Sequence, residues 1–98
     1  MPLFVVIGHD VPDGVARRNQ HRAEHVAYIE SLHQAGKITF AGPMQSEDRK
    51  ISNGVVILFE AADLDEAKRI VHQDPYVVGG VYADIEVSPI RKVFPKDG

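Results

Sequence analysis

Leu3-Phe4-Val5-Val6-Ile7 and Val55-Val56-Ile57-Leu58-Phe59 are the two stretches that decide the fold. Each is a five-residue run of β-branched, aromatic and leucine side chains. Runs of this kind, bounded by turn residues, are typical of β-strands. The first run stops at Gly8, shortly before the turn-forming segment 10–14. The two runs are therefore predicted to be strands one and three.

Helical periodicity fills the intervals between the strands. Residues 15–35 contain no Pro or Gly, which predicts one long amphipathic helix that ends at Gly36. Its apolar positions recur every three residues, at Val26, Ile29, Leu32 and Ala35. A capping box at 63–66 predicts the start of a second helix, which ends before Pro75 because the residue before proline avoids helical backbone angles.

Two further segments complete the pattern of strands. Residues 38–41 read as strand two, and the alternating stretch 82–87 reads as strand four. Strands two and three are predicted to form a hairpin whose polar connection, 45–54, is a long and mobile loop. The resulting order β-α-β-β-α-β predicts a ferredoxin-like α+β fold, with a four-stranded antiparallel sheet and two helices on one face. The length of 98 residues fits a single domain, 1–98, with 95–98 as a free tail.

The sheet face without helices is expected to bind a second copy of the chain. Strands one and three are apolar on both faces, whereas an antiparallel sheet with one solvated face should alternate between apolar and polar residues. Because large apolar patches are rarely left in water, we predict a homodimer with the two sheets packed face to face. The alternative is that a bent C-terminal segment covers this face.

Composition excludes several classes of protein. Eleven Lys and Arg against fourteen Asp and Glu give a net charge of -3, so there is no basic excess for nucleic acid. The absence of cysteine excludes a disulfide scaffold, a thiolate zinc site and a cysteine nucleophile. The longest apolar runs are five residues, and the N-terminus has no signal-peptide pattern. We therefore expect a cytoplasmic protein with no nucleic-acid or membrane partner.

Two residues are candidates for chemistry on position alone. His25 shares the apolar stripe of helix one, so its side chain should point towards the sheet or its rim. A histidine at this position can be either a packed structural residue or a catalytic group. Asp74 stands beside Pro75 at a helix end, where it can serve as a rigid base or merely mark a turn. Residues 21–25 match the zinc pattern H-x-x-E-H, but the larger scaffold of a zinc protease is missing and we expect no metal site.

Several short motifs together resemble one family. The order R-x-x-H-x-x-Y, G, G-P and D-P-Y, with these gaps, is similar to that of the YciI-like (YCII-related) family. The similarity covers the chain from strand one to about Pro89. It implies a dimeric α+β barrel, related in fold to muconolactone isomerases and cofactor-free monooxygenases. The matching positions are Arg22, His25, Tyr28, Gly36, Gly42-Pro43 and Asp74-Pro75-Tyr76.

The resemblance also implies an active site. The family's proposed site pairs a helix-one histidine with the aspartate of D-P-[FY], which here are His25 and Asp74. Asp74 would orient the imidazole while His25 transfers a proton. One characterised relative removes chloride from a chlorinated hydroxyhydroquinone, which implies acid/base elimination or isomerisation of a small cyclic or aromatic substrate without a cofactor. Further substrate-binding candidates, each also explicable by packing, turn geometry or solvation, are Arg22, Tyr28, His9, Pro43 and Tyr76.

Two functions from different classes remain open at this point, and a third, a metal-dependent enzyme, would need His21 and His25 to converge with a carboxylate. The first is a small enzyme, a lyase or isomerase that uses the His25 and Asp74 pair. The second is a non-catalytic dimeric ligand-binding or accessory domain in which the same pair only holds the helices in register. A cavity beside His25 would favour the first, and a buried pair without a cavity would favour the second.

Overall fold

The structure is a computed structural model that describes residues 1–96. The four strands, β1 (Leu3–Asp10), β2 (Ile38–Gln45), β3 (Ser52–Glu60) and β4 (Tyr82–Ile90), form one antiparallel sheet in the order β2-β3-β1-β4. This confirms the predicted ferredoxin-like α+β fold. Of the predicted tail, residues 95 and 96 are exposed and residues 97 and 98 lie outside the described part. The helices are α1 (Gly14–Gln34), α2 (Leu64–His72) and α3 (Pro75–Val78).

The core lies between the two central strands and the helices. β1 pairs with β3 and β4, and β3 pairs with β1 and β2. Because successive side chains in a strand point to opposite faces, every second residue of β1 and β3 faces the helices, and at the centre of both strands these residues are buried. Burial of large apolar side chains is the main force that holds the helices on this face. The central core residues are Phe4, Val6, Val55, Ile57, Phe59, Ala67 and Val71.

All four strands extend beyond their predicted bounds, and two of them continue through a glycine past their predicted C-terminal ends. β1 continues through Gly8 to Asp10. A Cβ on Gly8 would lie 3.2 Å from the Val55 side chain and 3.3 Å from the Tyr82 ring, so this glycine makes room for neighbouring side chains instead of ending the strand. β2 likewise continues through Gly42-Pro43. It is an edge strand, and a sheet edge accommodates proline.

The connection between β2 and β3 is shorter than predicted. The hairpin is confirmed, but its loop is residues 46–51 alone. The loop is closed by its own hydrogen bonds: the Ser46 hydroxyl donates to Asp48 Oδ1 (2.7 Å), and the Lys50 backbone N–H donates to the same oxygen (3.0 Å). A single carboxylate oxygen of Asp48 therefore accepts hydrogen bonds from both ends of this turn.

A four-residue helix, α3, follows α2 and is absent from the sequence prediction. α2 ends at His72 with Gln73 as its C-cap, and Asp74 caps α3, because its Oδ1 accepts the backbone N–H of Tyr76 at 2.9 Å. Pro75 occupies the first turn, where its missing N–H has no consequence. The cap fixes the Asp74 carboxylate and buries the Tyr76 ring.

α1, with 21 residues, is the longest helix of the described chain. The helix face that packs towards the sheet carries both charged and apolar side chains. Arg18, His25 and Ile29 are buried or partly buried on this face, at spacings of seven and four residues.

No helix within residues 1–96 is long and apolar enough to cross a membrane.

The face of the sheet opposite the helices is apolar at its centre. Leu3, Val5 and Ile7 of β1 alternate with the core residues and lie on this face, and the register pairs Val5 with Leu58 of β3. Phe40, which pairs with Leu58 from the other side, is 54% exposed. The C-terminal side chains Val93 and Phe94 are themselves exposed, so they do not provide the apolar cover considered above.

Candidate active site

His25 and Asp74 form a direct hydrogen bond between α1 and the start of α3. His25 Nδ1 lies 2.7 Å from Asp74 Oδ1, and both side chains are largely buried. An ionised carboxylate can only accept hydrogen bonds, so the contact places the proton of a neutral imidazole on Nδ1. Nε2 then carries the free lone pair and is the nitrogen able to accept a proton.

The Tyr76 ring supports the face of the same imidazole. The two ring centroids are 3.7 Å apart and the planes differ by 4°. Tyr76 is buried, and its backbone N–H is bound by the same carboxylate that holds His25. The plane of the imidazole is therefore fixed by stacking, and its rotation within that plane is fixed by Asp74.

A cleft of about 250 Å³ opens between α1 and the strands β2 and β3, with His25 on its wall. Drug-sized ligands occupy pockets of about 300–1,000 Å³, so this volume suits a single-ring compound. Predicted site residue Pro43 also lines the cleft. The lining residues are Arg18, His25, Val26, Ile29, Glu30, Ala41, Gly42, Pro43, Val55, Ile57 and Tyr82.

Arg18 places a buried cation at this cleft, and sequence reasoning missed it. Its Nε and Nη2 donate to the two carboxylate oxygens of Asp10 at 2.7 and 3.0 Å, and Nη2 also donates to the Gly54 carbonyl at 2.8 Å. Burial acts to lower the pKa of Arg18, but the hydrogen bonds and charge of Asp10 outweigh it and raise that pKa. Arg18 lies seven residues before His25, and this two-turn spacing was the available signal.

Tyr82 is the second residue of the cleft that sequence reasoning missed. Its hydroxyl is buried and has no hydrogen-bond partner among the described residues. Burial is the main cause that raises the pKa of Tyr82, with the charges of Asp74 and Asp10 adding to it against the lowering effect of Arg18. The Tyr82 phenol therefore stays neutral throughout the physiological pH range.

Tyr28, expected to line the substrate pocket, instead ties α1 to α2. Its hydroxyl donates to the carbonyl oxygen of Ile70 at 2.6 Å, and it borders a small inner void beneath the cleft. Burial and the negative charge of Asp74 both raise the pKa of Tyr28. The hydroxyl is thus already committed to the backbone.

Arg22 lies beside the His25 cleft but does not line it. Its Nη2 donates to Asn19 Oδ1 at 3.0 Å, and its side chain borders a separate, neighbouring cleft. The expected contact of Arg22 with a substrate beside His25 therefore depends on whether that substrate extends into the neighbouring cleft.

His9, expected to reach the cavity of His25, points to the opposite face of the sheet. Gly8 faces the helices, so the next residue of β1 faces away from them. There His9 Nδ1 lies 2.8 Å from Asp84 Oδ1, and both side chains are exposed. His9 is not among the residues of the cleft.

The H-x-x-E-H segment forms no metal-binding cluster in the described part of the chain. Within residues 1–96, no group of three or more His, Cys, Asp or Glu side chains converges in a way that would hold a metal ion. The His21 ring lies against Gly79 at the end of α3, and His25 is engaged by Asp74.

Together these features define a class of protein: a ferredoxin-like α+β domain with a histidine–carboxylate pair beside a small cleft. Residues 2–91 match the model of the YCII-related domain. Protein YciI from Escherichia coli O6:H1 is 33% identical over 97 residues, which cover 94% of this chain and 99% of the relative. The chain belongs to the YCII-related family.

Solved structures share the fold over nearly the whole chain. One is 5-chloro-2-hydroxyhydroquinone dehydrochlorinase from Burkholderia phenoliruptrix AC1100, in complex with 2,5-dihydroxybenzoquinone. It has a TM-score of 0.83 and 29% identity, and the match covers 97% of this chain and 99% of that chain. The cofactor-independent oxygenase SnoaB from Streptomyces nogalater has a TM-score of 0.58 at 14% identity, over 96% and 97% of the chains, and is similar in fold alone.

Proposed function

We propose that this protein is a small-molecule enzyme in which His25 moves a proton to or from a cyclic or aromatic substrate in the cleft. The observation that carries the proposal is that His25, held at Nδ1 by Asp74, forms part of the wall of a cleft of about 250 Å³. General acid–base catalysis requires a titratable group of fixed orientation at a ligand site. The hydrogen bond to Asp74 and the stacking on Tyr76 fix the orientation of His25, and the cleft beside it offers space for a ligand.

The proposed step uses Nε2 as the base. Nε2 accepts a proton from a hydroxyl or carbon of the substrate, and the electron pair released by that bond forms a new double bond. In an elimination the leaving group departs with its own bonding pair; in an isomerisation Nε2 returns the proton to another atom. Asp74 stabilises the imidazolium formed in between. Loss of one proton and one chloride equals loss of HCl, so a dehydrochlorination needs no oxidant or reductant.

The cleft favours an enzyme over a domain in which the pair only holds the helices in register. A hydrogen bond that only held α1 and α3 together would not need a cleft beside it. Here the stacked and hydrogen-bonded imidazole borders a cleft whose volume suits one substituted ring. The similarity to a dehydrochlorinase at 29% identity supports the same class of chemistry.

A substrate panel tests this proposal. Purified protein and its His25→Asn variant would be incubated with hydroxylated quinols, quinones and lactones, including 5-chloro-2-hydroxyhydroquinone, while NMR follows the products and an electrode follows chloride. We expect turnover of at least one compound by the parent and its loss in the variant. Turnover of none, or equal rates for the two proteins, would contradict the proposal.

We also propose that the protein is a homodimer joined through the helix-free faces of its sheets. The apolar side chains at the centre of this face include Val5, Ile7 and Leu58, with Phe40 more than half exposed beside them. A continuous apolar patch of this kind marks an interaction surface. A second copy offers the same patch and is self-complementary under a twofold axis.

Sedimentation equilibrium of the parent and of Val5→Lys tests the dimer. We expect twice the monomer mass for the parent and the monomer mass for the variant, because the lysine would bury a charge at the centre of the interface. Val78→Lys is the matched control, since Val78 is an exposed apolar residue on α3. A monomeric parent at tens of micromolar protein would contradict this proposal.

A further inference from the structure

A second cleft lies beside the first, towards the N-terminal end of α1. Its volume is also about 250 Å³. Arg18 lines both clefts, so they share a wall. The second cleft is lined by Val15, Arg18, Arg22, Lys50, Ile51 and Ser52, three of which are cationic and none acidic.

Among the described residues, two of these cations have no ionic partner. Arg18 is neutralised by Asp10, but the one side-chain hydrogen bond of Arg22 within the described part of the chain is to the neutral amide of Asn19. The Lys50 ammonium forms no ion pair or hydrogen bond within residues 1–96, because the neighbouring Asp48 carboxylate is used by the loop backbone and a serine hydroxyl. The cleft therefore has a surplus of positive charge in a chain whose net charge is -3.

The positions on α1 set the distance between the two clefts. Arg18, Arg22 and His25 follow one another at spacings of four and three residues, and therefore lie on neighbouring parts of one helix face. With a rise of about 1.5 Å per residue, Arg22 lies about 4.5 Å from His25 along the axis and Arg18 about 10 Å. A single ring beside His25 can therefore extend a substituent to Arg22.

We propose that the second cleft is an anion subsite of the candidate active site, and that the substrate carries a carboxylate or a similar oxyanion bound there by Arg22 and Lys50. This inference rests on the proposed function, because it names the substrate class of the same site. A guanidinium can hold a carboxylate by two parallel hydrogen bonds, and an ammonium adds a point charge. Arg18, already engaged, forms the wall between ring and anion.

A matched pair of ligands tests the subsite. Calorimetry would compare 2,5-dihydroxybenzoate with its methyl ester, which has the same ring without the charge, on the parent, Arg22→Gln, Lys50→Gln and the control Lys68→Gln on α2. We expect the parent to bind the acid at least about fivefold more tightly, and each cleft variant to weaken the acid about two- to fivefold with the ester unchanged. The control variant should bind as the parent does.

The outcomes separate this subsite from the proposed reaction. Equal affinity of the parent for acid and ester, equal loss for both ligands in the cleft variants, or no binding of either at millimolar concentration would overturn the subsite. Preferential binding of the acid through Arg22 and Lys50 supports it, even if the parent turns over no compound, in which case the proposed reaction alone fails. Turnover of neutral compounds that is lost in His25→Asn, without any preference for the acid, would refute the subsite alone.

Discussion

The protein contains two histidine–aspartate pairs with nearly the same geometry in very different surroundings. His25 Nδ1 lies 2.7 Å from Asp74 Oδ1, and His9 Nδ1 lies 2.8 Å from Asp84 Oδ1. The side chains of the first pair are 17% and 6% exposed, and those of the second are 62% and 67% exposed. The hydrogen bond itself is therefore not what distinguishes a candidate catalytic group.

What differs is the support of each imidazole and the space beside it. His25 is stacked on Tyr76 and borders the cleft, whereas His9 lies on the open face of the sheet. Water competes for the exposed pair, and such pairs contribute only about 0.2–1 kcal/mol to stability. The buried pair is held in one orientation, and we expect it alone to matter for activity.

The largest expected difference is in activity. On a substrate found for the parent, His25→Asn should lower kcat/KM by about 10²–10⁴-fold, because general acid–base catalysis contributes in that range. His9→Asn is the matched variant of the exposed pair and should change kcat/KM by less than about twofold. Steady-state kinetics of both variants measure this, and similar losses in the two would break the distinction.

The second largest difference is in stability. Asp74→Ala should lower the free energy of unfolding by about 2–4 kcal/mol, because it removes the cap of α3 and the partner of a buried imidazole. Asp84→Ala should change it by no more than about 1 kcal/mol, as for an exposed pair. Urea unfolding of the two variants compares them directly. Equal stabilities would mean that burial of the first pair has no energetic consequence.

The stacked ring offers a smaller effect that sharpens the comparison. Tyr76→Leu keeps an apolar side chain behind His25 but removes the flat surface, so we expect kcat to fall about tenfold through loss of orientation, with little change in KM. Tyr76→Phe retains the ring and should keep the parent's kcat. A parent-like kcat for the leucine variant would show that Asp74 alone orients the imidazole.

The smallest effect concerns Tyr82, whose buried hydroxyl has no hydrogen-bond partner among the described residues. Its folded-state pKa is raised above that of the unfolded chain, so the folded state keeps the proton when the unfolded state loses it. Stability should therefore be fully present below pH about 10 and fall as the pH rises further. Tyr82→Phe should be neutral or stabilising at pH 7.

The same variant should reduce the alkaline loss of stability by about 1.4 kcal/mol at pH 11, the value expected one unit above the unfolded pKa. Part of the loss should remain, because the pKa of Tyr28 is raised as well. Chemical unfolding at pH 8 and pH 11 measures both proteins. An unchanged loss of stability would show that Tyr82 ionises in the folded state as it does in the unfolded chain.

The position of His25 was predictable because periodicity along a single helix reports which side chains face the sheet. The order of strands and helices along the chain was predictable in the same way, from short apolar runs, helical periodicity and turn residues. The partnership with Asp74, 49 residues further on, was implied only by the resemblance, since no local pattern reports which helix end meets which helix face. α3 was missed because an Asp-Pro pair is typical both of the end of one helix and of the start of the next, and Asp74-Pro75 lies between two helices.

Arg18, Tyr82 and His9 show where local reasoning fails. The partner of Arg18 is Asp10, which belongs to β1 only because that strand continues past Gly8. The burial of Tyr82 depends on the space left by the same glycine. His9 was expected at the cavity. Because β1 continues through Gly8 to Asp10, His9 lies within the strand and its side chain faces away from the helices. Each of these outcomes depends on pairing between distant strands.

The most direct test of the central claim is the ¹⁵N NMR spectrum of the histidine side chains, recorded before and after addition of 2,5-dihydroxybenzoquinone. In the neutral form of His25 we expect the proton on Nδ1, held by Asp74, and an unprotonated Nε2 whose resonance shifts when the quinone enters the cleft. A neutral His25 with its proton on Nε2, or an Nε2 resonance unaffected by a quinone that binds, would contradict the account.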